Sequence, residues 1–179
     1  DLAESLLSLG LNHYFKGYYK KSLEYNLKAY EMQIRLYKNS DRPDLARSLN
    51  ILSVDHIKLG DHKTSLDYSM KAYEMRKRLF KDLDHPDLAQ SLNNIGVDYR
   101  CLDDYKTALE YQIKAYDMRK RLYKDSDHLD LALSLFNIGV DYSRLGDQKK
   151  SLEYQLKAYE MRKRLYNDSY HPDLADSLN

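Results

Sequence analysis

Hydrophobic residues recur along the chain with helical spacing, in pairs of segments that repeat every 43 residues. At 100° per residue the first segment of a pair places its apolar and small residues on one arc, which predicts a helix buried on one face. In the third pair this arc holds Leu88, Ala89, Leu92, Ile95, Gly96 and Tyr99. The second segment carries two apolar rows and one strip of alternating charge, which predicts a helix packed between neighbours on two sides.

The repeat is marked by Asp-Leu-Ala at Asp1, Asp44, Asp87, Asp130 and Asp173. It divides the chain into four units, residues 1–43, 44–86, 87–129 and 130–172, and residues 173–179 begin a fifth. The third and fourth units are identical at 30 of 43 positions. A period between about 20 and 50 residues is typical of a solenoid, in which each unit buries its apolar faces against the next. We therefore expect one continuous all-α solenoid domain.

Local signals set the expected helix ends. In the third unit we predict a first helix from Leu88 to Leu102, with Pro86 in a first-turn position, and a second helix that ends near Lys124. Turns between the two helices are predicted at Gly17, Gly60, Asp103 and Gly146, and caps of the second helices at Asp61, Asp104 and Asp147.

The motif residues resemble a known repeat family. Ser-Leu-Asn-Asn-Ile-Gly-Val-Asp-Tyr at 91–99, Asp-Asp-Tyr at 103–105, Ala108 and Lys-Ala-Tyr at 114–116 resemble the tetratricopeptide repeat (TPR). The period of 43 residues and the His-Pro-Asp-Leu-Ala junction resemble its elongated, kinesin-light-chain-like subclass. The sequence departs from the family pattern by placing Leu at the Trp position (Leu6, Leu49, Leu92, Leu135, Leu178) and Ser at the first Ala position (Ser22, Ser65, Ser151).

The resemblance covers the entire chain and implies a right-handed superhelix of antiparallel helix pairs. It also implies a concave groove, lined by the first helices, that binds peptide segments of partner proteins. The carboxylate clamp of some members needs Asn where this chain has Leu11, Val54, Val97 and Val140, which disfavours that ligand.

One arc of the first helices lies outside the predicted core and differs from unit to unit. Its centre stays apolar, whereas its flanks change among polar, aromatic and basic residues, as a groove that recognises one particular peptide would need. The alternative is that this arc is a solvent-exposed surface whose residues vary because little constrains them. We predict that the peptide-binding groove consists of Asn50, Val54, Asn93, Asn94, Val97, Arg100, Phe136, Asn137, Val140 and Arg144.

The charges on this arc suggest a ligand type. Four cations lie on it, Arg47, Lys58, Arg100 and Arg144, and they favour a partner peptide with acidic residues. Three carboxylates at its edge, Asp55, Asp98 and Asp141, would cancel this field unless they pair with Lys or Arg of the adjoining unit, which is the role we favour.

Composition excludes several classes of protein. The net charge is +1, which removes the basic footprint of a nucleic-acid binder. No apolar run approaches the ~18 residues that a membrane helix needs, so we expect no membrane partner. The single Cys101 and the lack of a signal peptide favour a cytoplasmic location.

Neither a cofactor, a metal site nor an enzymatic activity is predicted. His85, His128 and His171 recur once per unit, whereas metal ligands must converge on one ion. The basic clusters 76–78, 119–121 and 162–164 could contact phosphates, but cations are ordinary near helix C-termini. A catalytic site is usually a single constellation, and here almost every unusual residue is repeated.

The leading prediction is therefore a non-catalytic protein-interaction scaffold that binds a peptide in its groove. A first alternative is a structural spacer or a head-to-tail array that assembles through Leu174 and Leu178 at one end and Leu2 and Leu6 at the other. A second alternative is a sensor or regulatory array of a larger multidomain protein.

Overall fold

We describe a computed structural model, which covers residues 2–38, 40–124 and 126–166. These residues form eight α-helices and no strand, and the bounds are α1 Leu2–Phe15, α2 Tyr19–Tyr37, α3 Pro43–Lys58, α4 His62–Phe80, α5 Pro86–Cys101, α6 Tyr105–Tyr123, α7 Leu129–Arg144 and α8 Gln148–Leu165. The prediction of an all-α repeat fold is confirmed. Two compact units contain four helices each: unit 1 is Asp1–Leu83 and unit 2 is Asp84–Asn179. The predicted fifth-unit start 173–179, with Leu174 and Leu178, lies outside the described residues, as does His171.

Each first helix packs against the second helix that follows it, and small residues recur in the buried faces. Nine alanines of the described residues are buried, at least two in each helix pair: Ala3, Ala29, Ala46, Ala72, Ala89, Ala108, Ala115, Ala132 and Ala158. The larger core side chains are aliphatic, such as Leu45, Leu49 and Leu52 in α3. The arc predicted for the third pair is buried from Leu88 to Gly96, and Tyr99 is half-buried. Among the described residues, no helix is both long and apolar enough to cross a membrane.

The predicted caps of the second helices are confirmed in three pairs. The Asp61, Asp104 and Asp147 carboxylates accept hydrogen bonds from the backbone N–H three residues later, at 3.2, 3.2 and 3.1 Å. Each bond satisfies one of the donors that a helix start leaves unpaired. The turn before Asp104 contains Asp103 at φ 61°, where the other three pairs have a glycine at φ 78–84°. Asp is one of the few residues other than Gly that tolerate this region.

The first helices of unit 2 begin with a histidine cap. Helix α5 begins at Pro86 rather than Leu88, because the residue before the proline acts as its cap. The Nδ1 atoms of His85 and His128 accept the backbone N–H of Asp87 and Asp130, both at 3.1 Å. These histidines therefore cap the N-termini of α5 and α7. This structural role explains why they recur at the same position of the repeat.

The two helices of a pair cross closely at one point, where the size of the residue on one helix limits the size of the residue on the other. A Cβ built on Gly96 of α5 would lie 2.6 Å from Nε2 of Gln112 in α6, so this glycine allows the amide to fill the crossing. In the second pair the corresponding residues are Ser53 and Ser69, whose hydroxyl oxygens are 2.7 Å apart. The chain thus pairs glycine with a long amide and serine with serine.

This exchange can be tested in the third pair. Gly96→Ser should lower the free energy of unfolding by about 1–3 kcal/mol, because the added atoms overlap the buried Gln112 side chain. Adding Gln112→Ser should recover part of that loss by recreating the serine pair of the second unit. Urea denaturation of the two single variants and the double variant gives the coupling energy, expected to be about 0.5–3 kcal/mol. Simple additivity of the two losses would show that the crossing does not couple them.

Candidate functional site

Unit 1 contains an open hollow of about 260 Å³ between α1 and α3, with residues of α2 at its floor. We call it the unit 1 hollow. Its lining residues are Glu4, Leu7, Ser8, Leu11, Tyr14, Ser22, Asn26, Arg47, Asn50, Ile51, Val54 and Asp55. Two predicted groove residues, Asn50 and Val54, line it. The first helices of two successive repeats thus form one recess.

The walls of the unit 1 hollow are mainly apolar. Leu11 is 54% exposed, and Val54 and Ile51 are half-buried on the facing helix. Arg47 donates to the carboxylate of Glu4, so these two exposed charges at the hollow pair with each other. An apolar wall with few polar groups is the usual composition of a binding site.

A buried carboxylate lies in the floor of the hollow. Asp55 is 1% exposed, and its two oxygens accept one bond each, from Ser22 Oγ and Asn26 Nδ2, both at 2.7 Å. Burial raises the pKa of the Asp55 carboxyl, and the bonds from Asn26 and Ser22 partly oppose that rise. Asp55 therefore pairs with neutral groups, which differs from the Lys or Arg partner that the sequence suggested.

The corresponding carboxylate of unit 2 has a cation. Arg100 Nε donates to Asp141 Oδ1 at 2.5 Å, and Arg100 Nη2 donates to the Asn137 carbonyl at 3.2 Å. Burial raises the pKa of Asp141, while the Arg100 guanidinium lowers it. Asp141 thus has the structural pairing that we favoured from sequence, and it holds Arg100 between α5 and α7.

Two asparagines predicted for the groove lie mainly inside unit 2. Asn93 is 5% exposed and Asn137 is 7% exposed, and Asn137 Nδ2 donates to Asn93 Oδ1 at 2.9 Å. This hydrogen bond joins α5 to α7, which are the first helices of adjacent repeats. The sequence arc placed both at the surface, so the structure differs in this respect. Their contact with a ligand remains a prediction.

The remaining predicted residues belong to α5 and α7, and we call the surface that they are predicted to form the unit 2 face. Asn94, Val97, Phe136 and Val140 are half-buried, and Arg144 is exposed. Gln90 Nε2 donates to Asn94 Oδ1 at 2.8 Å, and the Arg162 guanidinium lies 5.4 Å from the centre of the Phe136 ring. Arg162 was not predicted to belong to this surface, because it comes from a second helix.

The repeated basic clusters are engaged within the fold. Arg119 is almost fully buried and donates to Ser134 Oγ at 2.7 Å and to Gln90 Oε1 at 2.9 Å. The last arginine of each cluster binds a carboxylate through two N–H groups at 2.6–2.8 Å, in the pairs Arg78–Asp41, Arg121–Asp84 and Arg164–Asp127. Fork-shaped pairs of this kind occupy the groups that would otherwise bind a phosphate.

The remaining candidate groups are potential metal ligands and the Cys101 thiol. Among residues 2–38, 40–124 and 126–166, no group of three or more His, Cys, Asp or Glu side chains could hold a metal ion. Burial raises the pKa of the Cys101 thiol. The reactive thiolate form is therefore disfavoured at neutral pH.

The Arg100–Asp141 pair makes a stability prediction. Arg100→Met leaves the buried Asp141 carboxylate without its cation, so we expect urea denaturation at neutral pH to show a loss of about 3–5 kcal/mol in the free energy of unfolding. Arg144→Met, which removes an exposed arginine from the same surface, is the matched control and should cost less than about 0.5 kcal/mol.

The loss in Arg100→Met should also depend on pH. Without Arg100 the folded-state pKa of Asp141 stays raised above its unfolded value, so the folded protein binds the proton more tightly than the unfolded chain. The variant should therefore recover stability as the pH falls from about 7 towards 4, relative to wild type. A loss that is equal at all these pH values would contradict a buried ionised Asp141.

Comparison with known proteins agrees with the helix pairs. The tetratricopeptide repeat profile matches residues 1–78 and 87–164. No curated protein sequence matches significantly. BtubC (BKLC) from P. vanneervenii has a similar crystal structure, with a TM-score of 0.81 and 23% identity over 96% of this chain and 66% of BtubC. A kinesin-light-chain-like protein of P. anserina with nearly identical TPR-like repeats gives a TM-score of 0.77 and 14% identity over 97% of this chain and 80% of that protein.

The structure of a Rap protein complexed with Competence and Sporulation Factor is also similar. Its TM-score is 0.77, with 18% identity over 93% of this chain and 44% of the Rap protein. The chain spans less than two thirds of the length of BtubC and less than half of this Rap protein. At these identities the structural likeness concerns the fold. Because the family profile covers both units, the chain belongs to the tetratricopeptide repeat family.

Proposed function

We propose that this chain is a non-catalytic interaction module that binds a peptide segment of a partner protein along its first helices. The observation that carries the proposal is the unit 1 hollow, an apolar recess formed by α1 and α3 with polar atoms at its floor. The Leu11 side chain in this hollow is 54% exposed to solvent, and its burial by a ligand would contribute to affinity. Within unit 2, we propose that the unit 2 face contacts a peptide in the same way.

The size of the hollow favours side chains of a peptide over a whole small molecule. Its volume of about 260 Å³ lies below the roughly 300–1,000 Å³ typical of small-molecule pockets. The similar Rap structure, a complex with Competence and Sporulation Factor, supports a ligand-binding role for such repeats. The one cysteine cannot form an intramolecular disulfide, which supports our proposal of a cytoplasmic location.

The contacts of the cations on the arc limit where an acidic peptide residue could bind. Of the four cations on the arc, Arg47 binds Glu4, Arg100 binds Asp141, and the Lys58 ammonium lies 6.0 Å from the centre of the Tyr14 ring. Arg144 remains exposed on the unit 2 face. We therefore restrict the proposed acidic preference to that face, where Arg144 would pair with a carboxylate of the partner.

The proposal predicts that binding depends on the hollow. Peptides recovered by display on the chain should bind Leu11→Ser about tenfold more weakly, because the substitution removes apolar surface that the ligand covers. The matched control is Leu36→Ser in α2, which changes a leucine of similar exposure, 60% against 54%, that does not line the hollow. Fluorescence anisotropy with one labelled peptide gives both affinities.

Equal weakening in both leucine variants would contradict binding in the hollow. Failure to recover any shared peptide motif would count against the interaction role itself. It would favour the head-to-tail array, which concentration-dependent sedimentation of the same chain would then reveal.

A further inference from the structure

The two units treat one repeated carboxylate differently. Asp141 in α7 and Asp55 in α3 occupy the same position of their repeats, 86 residues apart. Asp141 binds Arg100, which lies 41 residues earlier on the preceding first helix. The residue 41 positions before Asp55 is Tyr14, which has no charge and lines the hollow. Unit 1 therefore has the acceptor of this ion pair and an open hollow where the donor would stand.

We propose that the unit 1 hollow binds the guanidinium group of an arginine side chain from the partner peptide, with Asp55 as its acceptor. This proposal rests on the proposed function and names the chemistry of the ligand. The Arg100–Asp141 pair serves as its internal template, because there a guanidinium reaches the buried carboxylate from the preceding first helix, although Asp141 itself is fully buried.

The hollow also suits the rest of an arginine side chain. The methylene groups of arginine pack on apolar surface while the guanidinium reaches a polar partner, and Leu11, Ile51 and Val54 provide that surface. The bonds from Ser22 and Asn26 use two of the roughly four acceptor positions of an ionised carboxylate. The remaining positions can accept guanidinium N–H groups.

The nearby charges permit a bound cation. Glu4 and Arg47 line the hollow and pair with each other, so they nearly cancel. His56 neighbours Asp55 in sequence and lies 3.4 Å from the Asp61 carboxylate. Lys58 does not line the hollow, and its ammonium is 6.0 Å from the centre of the Tyr14 ring. Asp55 is therefore the lining carboxylate whose hydrogen-bond donors, among the described residues of unit 1, are all neutral.

Two small probes test the proposal on the full chain. N-acetyl-arginine methylamide carries the guanidinium, and N-acetyl-citrulline methylamide is its neutral isostere. We expect the arginine probe to give saturable amide chemical-shift changes at the hollow residues of α1 and α3, and the citrulline probe to bind at least tenfold more weakly. Equal affinity of the two probes, or no saturable shift with arginine, would overturn the proposal.

Two variants test whether Asp55 is the acceptor of the guanidinium group. Asp55→Asn removes the acceptor charge and should weaken the arginine probe at least tenfold. Tyr14→Arg places a guanidinium where Arg100 stands in unit 2, so it should abolish binding by occupying Asp55, and it keeps the test valid if Asp55→Asn does not fold. Tyr18→Arg is the matched control, because Tyr18 is 57% exposed and does not line the hollow. Unchanged arginine binding in Tyr14→Arg would contradict the assignment.

These outcomes separate the two proposals. Peptide binding that depends on Leu11, together with no arginine binding, would retain the proposed function and reject the arginine site. Saturable arginine binding that Asp55→Asn abolishes, without any peptide binding, would retain the site and reject the proposed function.

Discussion

The close crossing of the two helices in each pair limits which side chains the buried faces of both helices can carry. The crossing is lined by small residues, with buried alanines in both helices and a glycine or serine that limits the size of the opposite side chain. Because packed interiors tolerate little change in volume, this face can vary only by coordinated exchange, as between Gly96 with Gln112 and Ser53 with Ser69. The opposite arc of each first helix escapes that constraint, and there the repeats differ in chemistry.

The carboxylate at this repeat position has different partners in the two units. In unit 2 the buried Asp141 is neutralised within the chain by Arg100, and the neighbouring asparagines join the two first helices. In unit 1 the equivalent Asp55 has only neutral donors and lies at the floor of an open hollow. Unit 1 has Tyr14 where unit 2 has Arg100, and it has Ser22 and Asn26 where unit 2 has Ala108 and Gln112. Asp55 therefore accepts hydrogen bonds from neutral donors, whereas Asp141 forms an internal ion pair.

Much of the fold is local and so could be predicted from the sequence, whereas the site depends on neighbouring repeats. Helical periodicity and the caps at Asp61, Asp104 and Asp147 involve residues within a few positions of each other. The burial of Asn93 could not be predicted, because the 100° arc describes one helix and its partner Asn137 lies 44 residues away. The capping role of His85 was missed because its signal, a histidine before proline at a helix start, also suggested other chemistry. Val54 and Asn50 were predicted for the groove, and they line the unit 1 hollow.

Binding of a partner peptide by the first helices can be measured by amide hydrogen exchange of the chain with and without a peptide recovered by display. We expect added protection within α1 and α3 around the hollow, at residues 7–14 and 50–55, and little change in α2 and α4 beyond the floor residues Ser22 and Asn26. Protection confined to the outward parts of the second helices, or to the first and last described turns of the chain, would contradict it.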